Sequence, residues 1–351
     1  MKITRPELKT YKWVYEVKDI IILGVETSCD ETAAALVKNG REVLANVVNS
    51  QVAIHEQFGG VVPEVASRKH IENVALVTET AFQQAGLAHR DIDAVAVTTA
   101  PGLIGALLVG LSFAKAFAYG LQCPLIAVNH LQGHIYANFL EHDGIEFPAI
   151  CLVVSGGHTS LLYMNGPRDL KVIGSTKDDA AGEAFDKVAR FLGLGYPGGP
   201  AVEKAARQGT AGRYVLPRVF LDRTSFEFSF SGLKTATMNL WKKEQPRGAS
   251  VADLAAEFQA ALVEVLVGKT IQAAQKYQVK TILTAGGVAA NQELRQQLGQ
   301  AAQTAGCRLC FPSLPLCADN AAMIAGQAYY DFLQGNFAGL DINAQPSGFS
   351  L

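Results

Sequence analysis

The sequence predicts an α/β fold in which two similar lobes enclose a central cleft. After Asp19 the chain gives a buried strand (Ile-Ile-Ile-Leu-Gly-Val-Glu), a polar turn at residues 27–31 and a second strand (Thr-Ala-Ala-Ala-Leu-Val). The same order returns from residue 149, where Ala-Ile-Cys-Leu-Val-Val precedes the turn Ser155-Gly-Gly-His158 and the strand Thr-Ser-Leu-Leu-Tyr-Met. Further strand patterns and then helix patterns follow each hairpin. Such an internal duplication is typical of two α/β lobes, and the cleft between them is the natural ligand site.

In the first half, a helix is predicted from Leu103 to Tyr119, and a second helix carries His130 and His134. A four-residue spacing places two side chains on one helix face, about 5 to 6 Å apart at Cβ, so that they could hold one metal ion. The alternative is a pair of partly buried histidines bonded to the backbone. A zinc protease would have Glu, the general base, after the first histidine, but this chain has Leu131. The pattern therefore predicts a metal clamp that needs a third ligand from another part of the fold.

In the second half, helices are predicted at Ala181–Leu192 and Val251–Tyr277. The strand Thr281–Ala285 then leads into Gly286-Gly-Val-Ala-Ala-Asn291, and another helix begins at Gln292. Two glycines between a strand and a helix let a ligand approach the backbone and offer amide groups at a helix N-terminus. A nucleotide site and a plain strand-to-helix connection both fit this pattern.

Near the end of the chain, Asp319-Asn320 opens a helix of small residues. An aspartate in this position commonly caps the helix. A carboxylate at a junction between loop and helix is equally suited to complete a metal site with oxygen ligands. The sequence spacing leaves both roles open.

Composition indicates a soluble protein with a large core. The chain has 351 residues, 49% of them hydrophobic, and a formal net charge of -2. This length allows two domains, and the balanced charge argues against non-specific coating of nucleic acid. We expect no signal peptide, no membrane span and a cytoplasmic location. The six scattered cysteines are expected to be reduced thiols.

Seven motifs together resemble the bacterial tRNA threonylcarbamoyladenosine transferase family, called TsaD in bacteria and formerly sialoglycoprotein endopeptidase. The resemblance runs in register from about Ile20 to the C-terminal helix. It implies the two-lobed fold of actin-like ATPases, sugar kinases and heat-shock ATPases. The expected domains are an N-terminal extension (1–19), a first lobe (20–148) and a second lobe (149–351). The C-terminal helix of the second lobe could pack against the first lobe. The motifs are Glu26-Thr-Ser-Cys-Asp-Glu31, Val62-Pro-Glu-Val-Ala-Ser-Arg-Lys-His70, Asn129-His-Leu-Gln-Gly-His134, Val153-Val-Ser-Gly-Gly-His158, Asp179-Ala-Ala-Gly-Glu-Ala-Phe-Asp186, Tyr196-Pro-Gly-Gly199 and Gly286-Gly-Val-Ala-Ala-Asn291.

The resemblance also implies the ligands of the cleft. One divalent metal ion, iron or zinc, would be held by His130, His134 and Asp319. The nucleotide ligand would be threonylcarbamoyl-AMP or a related ATP-type nucleotide. Its phosphate and threonylcarbamoyl group would lie against Val153, Val154, Ser155, Gly156 and Gly157. Asp186 and Gly199 would contact the ribose with Glu203 nearby, and Asn291 would lie beside the adenine.

The reaction implied by the resemblance transfers the threonylcarbamoyl group to N6 of adenine 37 in tRNAs that read codons beginning with A. A metal ion can act there as a Lewis acid and a template. The backbone amides of Ser155 to Gly157 can stabilise developing charge. Removal of the N6 proton needs a base, for which Glu31 is the candidate. Helix capping or support of the metal site are the alternative roles of Glu31.

The family also implies macromolecular partners. These are tRNA, a degenerate paralogue of the TsaB type, a small ATPase of the TsaE type, and a TsaC-type synthase that supplies the adenylate. A face on the helices Pro63–Ala81 and Leu103–Tyr119 could bind the paralogue, although burial inside the lobe explains the same residues. A basic region with interleaved aromatic residues could bind RNA by phosphate attraction and base stacking, although a solvated face over core aromatics is the alternative. That region comprises Arg223, Lys234, Lys242, Lys243 and Arg247 with Phe226, Phe228, Phe230 and Trp241.

Two other functions are weighed against the transferase. A zinc endopeptidase would need a base beside the metal, where this chain has Leu131. A non-catalytic ATP-binding module is suggested by the fold alone. The complete metal ligand set beside the nucleotide motifs argues against that module.

Overall fold

The computed structural model describes residues 19–220 and 225–347, which form two mixed five-stranded sheets. In the first sheet, in the order β3-β2-β1-β4-β5, β2 is antiparallel to β1 and β3, and β1, β4 and β5 are parallel. Its strands are β1 (Ile21–Glu26), β2 (Glu31–Lys38), β3 (Glu42–Ser50), β4 (Ala94–Ala100) and β5 (Leu125–Asn129).

The second sheet repeats this topology strand for strand. Its order is β10-β9-β6-β7-β8, with β7 antiparallel to β6 and β8, and with β6, β9 and β10 parallel. The predicted duplication and the two-lobed α/β fold are therefore confirmed. The strands are β6 (Ala149–Val154), β7 (Thr159–Met164), β8 (Leu170–Ser175), β9 (Thr281–Ala285) and β10 (Arg308–Cys310).

Helices flank both sheets. Those of the first half are α1 (Val52–His55), α2 (Pro63–Ala85), α3 (Ile104–Leu121) and α4 (His130–Glu141). Those of the second half are α5 (Ala181–Leu192), α6 (Gly198–Ala206), α7 (Ser231–Glu244), α8 (Val251–Lys276), α9 (Gln292–Thr304), α10 (Leu314–Cys317) and α11 (Ala321–Gln334). Short 3-10 turns lie at Glu56–Phe58, His89–Asp91, Gln245–Arg247 and Gly287–Ala290.

Two helices connect the halves of the chain. The C-terminal helix α11 packs on the first sheet and against α4. A Cβ at Gly24 would lie 2.4 Å from the Ala321 carbonyl oxygen, so this glycine allows the close approach of α11 to β1. Leu131 of α4 packs into a core with the second sheet, and Ala137 packs into a core with the first. Helix α4 therefore lies between the sheets, with its N-terminus at the cleft.

The carboxyl ends of the central strands converge on this cleft. Strand β1 ends at Glu26, β5 at Asn129, β6 at Val154 and β9 at Ala285, and a motif of the sequence analysis includes or directly follows each of these residues. In open α/β sheets, ligands bind outside the carboxyl ends of the strands. The domain limits at 19/20 and 148/149 stay predictions, and of the extension only Asp19 belongs to the described residues.

Among the described residues, Ile104–Leu121 is the one helix long and apolar enough to cross a membrane, by length and composition alone. One third of this segment is buried, and the helix packs against α2 and β4. A core helix passes the same test, so this observation is weak evidence for a membrane span. The cytoplasmic location stays a prediction.

Candidate metal and nucleotide site

The two histidines lie at the start of α4 because Asn129 ends β5 and caps the helix. The Asn129 side-chain oxygen accepts hydrogen bonds from the amides of Leu131 (3.0 Å) and Gln132 (3.2 Å). One turn separates His130 from His134, and their ring centroids are 4.6 Å apart. The predicted spacing on one helix face is confirmed.

Asp319 lies directly between the two imidazoles. Its Oδ1 is 3.0 Å from Nε2 of His134 and 3.4 Å from Nε2 of His130. The cap of α11 is instead Asn320, whose side chain accepts from the amide of Met323 at 3.0 Å. Candidate ligand atoms of His130, His134 and Asp319 lie within 4.8 Å of one another, so this group could hold a metal ion. Two imidazole nitrogens and one carboxylate oxygen fit the donor sets of catalytic zinc and of non-haem iron.

The charged side chains of this site shift one another's pKa values. Burial opposes ionisation of Asp319, but His130 and His134 lower the pKa of Asp319 well below its usual value. Burial likewise opposes a charged His130, but Asp319 and Glu26 raise the pKa of His130 well above its usual value. Without a metal the cluster therefore holds a proton on His130. A metal ion would replace that proton, since ligating imidazoles are neutral.

Glu26 was not predicted as a site residue from the sequence. Its carboxylate lies beside Nδ1 of His130, the ring nitrogen opposite the one that faces Asp319. Its side chain is 0% exposed and accepts hydrogen bonds from Thr98 and from the amide of Ser28. Its Oε2 is 3.2 Å from Nδ1 of His130. By contrast, Nδ1 of His134 is buried without a hydrogen-bond partner among the described residues. The available signal was a charged residue that ends an otherwise apolar strand.

The turn between β6 and β7 exposes its backbone, because two of its residues are glycines. Its ends are joined by bonds from the Ser155 amide to the His158 carbonyl (2.8 Å) and from the His158 amide to the Ser155 hydroxyl (3.1 Å). Gly156 and Gly157 are exposed, and a Cβ at either would meet nothing within 4 Å. The side chains of the preceding residues, Val153 and Val154, are buried in the core, so these two can reach a ligand only through their backbone.

A first cavity of about 340 Å³ brings most of the predicted nucleotide residues together. Gly286, at φ +92°, starts the turn along one side, where a Cβ would lie 2.4 Å from the Val154 carbonyl oxygen. The cavity reaches the metal cluster at Asp319. Other predicted residues in its lining are Glu31, Ser155, Gly156, Asp186, Gly199, Glu203 and Asn291.

Local contacts already orient several of these side chains. Asp186 accepts from the Gly198 amide at 2.7 Å, and burial raises the pKa of Asp186. Asn291 caps α9 by accepting from Leu294 at 3.0 Å, and its amide group donates to Gln259 at 2.9 Å. Helix capping is therefore one role of Asn291, and its presence in the cavity is compatible with a second.

Glu31, the predicted base, starts β2 at the edge of the first cavity. It accepts a hydrogen bond from the Ser50 hydroxyl at 2.8 Å. Burial, followed by the neighbouring Asp30, raises the pKa of Glu31 to about 9. The Glu31 carboxyl is therefore protonated at neutral pH in the metal-free protein.

The prediction that the aromatic residues of this basic region stack on RNA bases is wrong for its three phenylalanines. Phe226, Phe228 and Phe230 are at most 5% exposed and belong to the core beside α8. They cannot stack on bases, and the core interpretation holds for them. Trp241 is partly buried against the same core.

The basic residues of that region are mostly paired. Lys234 forms an ion pair with Asp179 at 2.5 Å, with only 19% of the lysine side chain exposed. Lys243 and Arg247 both pair with Glu244. Lys242 is exposed and lies over the ring of Phe191. Arg223 lies outside the described residues.

Comparisons with known proteins point to one family. Residues 42–326 match the family model TsaD, tRNA N6-adenosine threonylcarbamoyltransferase. A protein of that name from Syntrophomonas wolfei is 69% identical over 336 residues, which cover 95% of this chain and 99% of the relative. The one from Bacillus subtilis is 54% identical over 334 residues, covering 94% and 96%.

Solved structures show the fold alone. Component A of the Acidaminococcus fermentans (R)-2-hydroxyglutaryl-CoA dehydratase superimposes with a TM-score of 0.54 at 14% identity, covering 89% of this chain and 98% of that one. Full-length HypF in a phosphate- and nucleotide-bound form superimposes with a TM-score of 0.59 at 15% identity, covering 88% and 46%. These neighbours have actin-like ATPase folds. The family match and the two high-identity relatives together show that the chain belongs to the tRNA N6-adenosine threonylcarbamoyltransferases, the transferases that form N6-threonylcarbamoyladenosine in tRNA.

Proposed function

We propose that the cleft transfers the threonylcarbamoyl group from threonylcarbamoyl-AMP to N6 of adenine 37 in tRNAs that read codons beginning with A. The observation that carries this proposal is the junction of His130, His134 and Asp319 with the first cavity. In the reaction, a bond forms between N6 and the carbamoyl carbon, and the bond from that carbon to a phosphate oxygen breaks. N6 loses one proton and AMP leaves.

We place the donor adenylate in the first cavity, in the orientation that the resemblance to the family implies. Gly156 and Asp319 both line this cavity, and the exposed turn could offer amide groups to the phosphate and threonylcarbamoyl oxygens. Asp186 can accept from ribose hydroxyls, and Asn291 lies where the adenine would be held. The open space above the turn glycines supports this assignment, because a ligand can approach the backbone there.

His130, His134 and Asp319 would hold one divalent ion, for which we propose iron or zinc. The ion supplies Lewis-acid polarisation and a template for the reacting groups. Glu26 fixes the tautomer of His130 by accepting from its Nδ1, so that Nε2 faces Asp319. The high pKa of Glu31 counts against a general base and favours a carboxyl that donates a hydrogen bond to the donor substrate.

The proposed partners are tRNA, a TsaB-type paralogue, a TsaE-type ATPase and a TsaC-type synthase. The paralogue would bind the face shared by α2 and α3. Ile71 and Leu76 of α2 are 66% and 65% exposed, and Leu108 of α3 is 44% exposed. Large exposed apolar side chains on adjacent helices are typical of an interaction surface. Leu76→Asp should abolish pull-down of the paralogue without changing the thermal midpoint.

The test of the reaction is mass spectrometry of nucleosides from tRNA incubated with the protein, its partners, threonine, bicarbonate and ATP. The transferase forms threonylcarbamoyladenosine. A zinc peptidase or a non-catalytic ATP-binding module forms none. The peptidase is disfavoured because Leu131 replaces the usual base and is fully buried.

A further inference from the structure

The sequence motif that opens α2 ends at His70, and none of its residues lines the first cavity. The His70 side chain is fully buried. Both of its ring nitrogens are nevertheless used: Nε2 is 3.0 Å from the Cys29 carbonyl oxygen, and Nδ1 is 2.8 Å from the Thr32 hydroxyl. The two residues between these partners, Asp30 and Glu31, both line the first cavity. One imidazole therefore holds the chain on either side of two acidic residues of that cavity.

The hydrogen bonds determine which ring nitrogen of His70 carries the proton. A carbonyl oxygen only accepts, so Nε2 donates to Cys29. Burial lowers the pKa of His70 and so favours the neutral ring, which has one donor and one acceptor nitrogen. Nδ1 therefore accepts from the Thr32 hydroxyl. Because both nitrogens are bonded, the ring cannot rotate without losing both partners.

Gln51 adds a further hold on the same segment. Its backbone amide donates to the Asp30 carbonyl at 3.0 Å, and its side-chain amide lies 3.5 Å from Nδ1 of His70. The consecutive carbonyls of Cys29 and Asp30 are thus both bonded to buried residues of the first lobe. A backbone fixed at two successive carbonyls leaves the Asp30 and Glu31 side chains little freedom beyond their own rotamers.

The same turn reaches the metal site at its other end. The Ser28 hydroxyl is 3.1 Å from Nδ1 of His130, and the residue after Ser28 is Cys29, whose carbonyl His70 holds. Helix α2 is 23 residues long and packs on β2, β3 and α3, so it provides a rigid base for the imidazole. A small displacement of groups that orient a substrate costs much of the rate.

We propose that His70 is a positioning residue for the transfer reaction. Its imidazole clamps the Cys29 carbonyl and the Thr32 hydroxyl. This clamp keeps Asp30 and Glu31 in place at the wall of the donor cavity. The proposal rests on the proposed function, because it takes the first cavity as the donor site. His70 acts through the turn and contacts no substrate itself.

Two conservative substitutions separate the two nitrogens of the ring. The amide nitrogen of Gln lies as many bonds from Cα as Nε2 does, so His70→Gln can still donate to the Cys29 carbonyl. The side chain of Asn ends where Nδ1 lies, so His70→Asn can reach Thr32 but not Cys29. His70→Asn should lower kcat and the affinity for a non-hydrolysable adenylate analogue about tenfold, as is typical when a buried hydrogen bond is lost. His70→Gln should stay within about threefold of the original protein.

The assays use the full chain together with its partner proteins. Formation of threonylcarbamoyladenosine gives kcat and the KM for tRNA, calorimetry gives analogue binding, and thermal unfolding reports stability. A misplaced turn lowers kcat and leaves the KM for tRNA unchanged. A role in packing alone would lower the thermal midpoint and impair His70→Gln and His70→Asn alike. Equal impairment of the two variants, or a normal kcat in His70→Asn, would overturn the proposal.

A second pair of variants leaves His70 itself intact. Thr32→Val removes the hydroxyl that donates to Nδ1. Thr78→Val removes another buried hydroxyl of the same lobe, which donates to the Val74 carbonyl of α2 at 2.8 Å. Both variants should lose similar stability, but only Thr32→Val should lower kcat, by about threefold. An equal kcat in the two variants would show that the clamp does not act on the reaction.

The tautomer of His70 gives a check that is independent of the reaction. Nitrogen NMR of the labelled protein distinguishes the two neutral tautomers, and the proton of His70 should lie on Nε2. A proton on Nδ1 would leave the Cys29 carbonyl without its donor and would overturn the proposal. If the original protein with its partners forms no threonylcarbamoyladenosine, the proposed function fails. The tautomer and the binding of the adenylate analogue still report on the clamp in that case.

Discussion

The turns that connect β1 to β2 and β6 to β7 occupy equivalent positions in two sheets of the same topology, yet they differ completely in chemistry. Both follow a six-residue strand and contain four residues, 27–30 and 155–158. The first follows the buried carboxylate of Glu26, and the second follows the apolar Val154. The residue after the turn is Glu31 in the first lobe and Thr159 in the second.

Because of this difference, the two turns contribute different chemical groups to the cleft. The Ser28 hydroxyl of the first turn lies 3.1 Å from Nδ1 of His130, whereas the second turn offers exposed backbone at its two glycines. The duplicated topology fixes where the two turns meet. The residues within each turn decide whether that position supports a cation or binds an anion.

The largest expected effect comes from the metal ligands that lie between the two turns. His130→Ala or His134→Ala should remove the bound ion and reduce transfer more than the 10- to 100-fold typical of losing an outer partner. Alanine favours the helical conformation, so α4 and the fold should persist even though His134 is buried. Elemental analysis and circular dichroism check this result. Full metal occupancy in either variant would refute the assignment.

The next effect concerns Glu26, the residue that directly precedes the first turn. Glu26→Gln keeps the shape of the side chain but removes the charge that holds Nδ1 of His130. Metal affinity should fall roughly tenfold, measured by competition with a chromogenic chelator. Thr98→Val removes only one donor to the same carboxylate and serves as the milder control. Equal metal affinity of Glu26→Gln and the original protein would show that Glu26 does not position His130.

A methyl group tests the second turn. A Cβ at Gly156 meets no protein atom within 4 Å, so Gly156→Ala should fold normally. The added methyl should obstruct the phosphate and weaken the adenylate analogue several-fold by calorimetry, with metal content unchanged. Gly299→Ala, equally open but on α9, should not affect binding. Normal adenylate binding by Gly156→Ala would remove the turn from the donor site.

The sequence predicted these turns because strand periodicity and glycine content are local properties. The boundaries of α5 and β9 and the start of α9 are confirmed for the same reason. The roles of Asp319 and Asn320 could not be separated, because a cap and a ligand differ only in tertiary position. The alternation of Phe226, Phe228 and Phe230 was itself a signal of one buried face, since residues two apart in an extended segment point the same way.

The residues missed were those whose partners are distant in sequence. Glu26 meets His130 across 104 positions. No spacing rule relates such pairs. Only the packed fold places these groups together.

The smallest expected effect compares Glu31 with its counterpart Thr159 through the pH dependence of stability. The pKa of Glu31 is raised from 4.5 to about 9 in the folded protein, chiefly by burial. Between these values the unfolded chain has lost the proton that the folded protein keeps, so rising pH favours unfolding. The contribution is fully present below pH 4.5 and is lost as the pH rises through about 9.

In metal-free protein kept in chelator, the thermal midpoint of Glu31→Gln should therefore fall less than that of the original protein across this pH window. Thr159→Val, which removes the acceptor for the Ala181 amide, should lower the midpoint equally at every pH. Parallel curves for Glu31→Gln and the original protein would mean that Glu31 ionises normally, which would restore it as a candidate base.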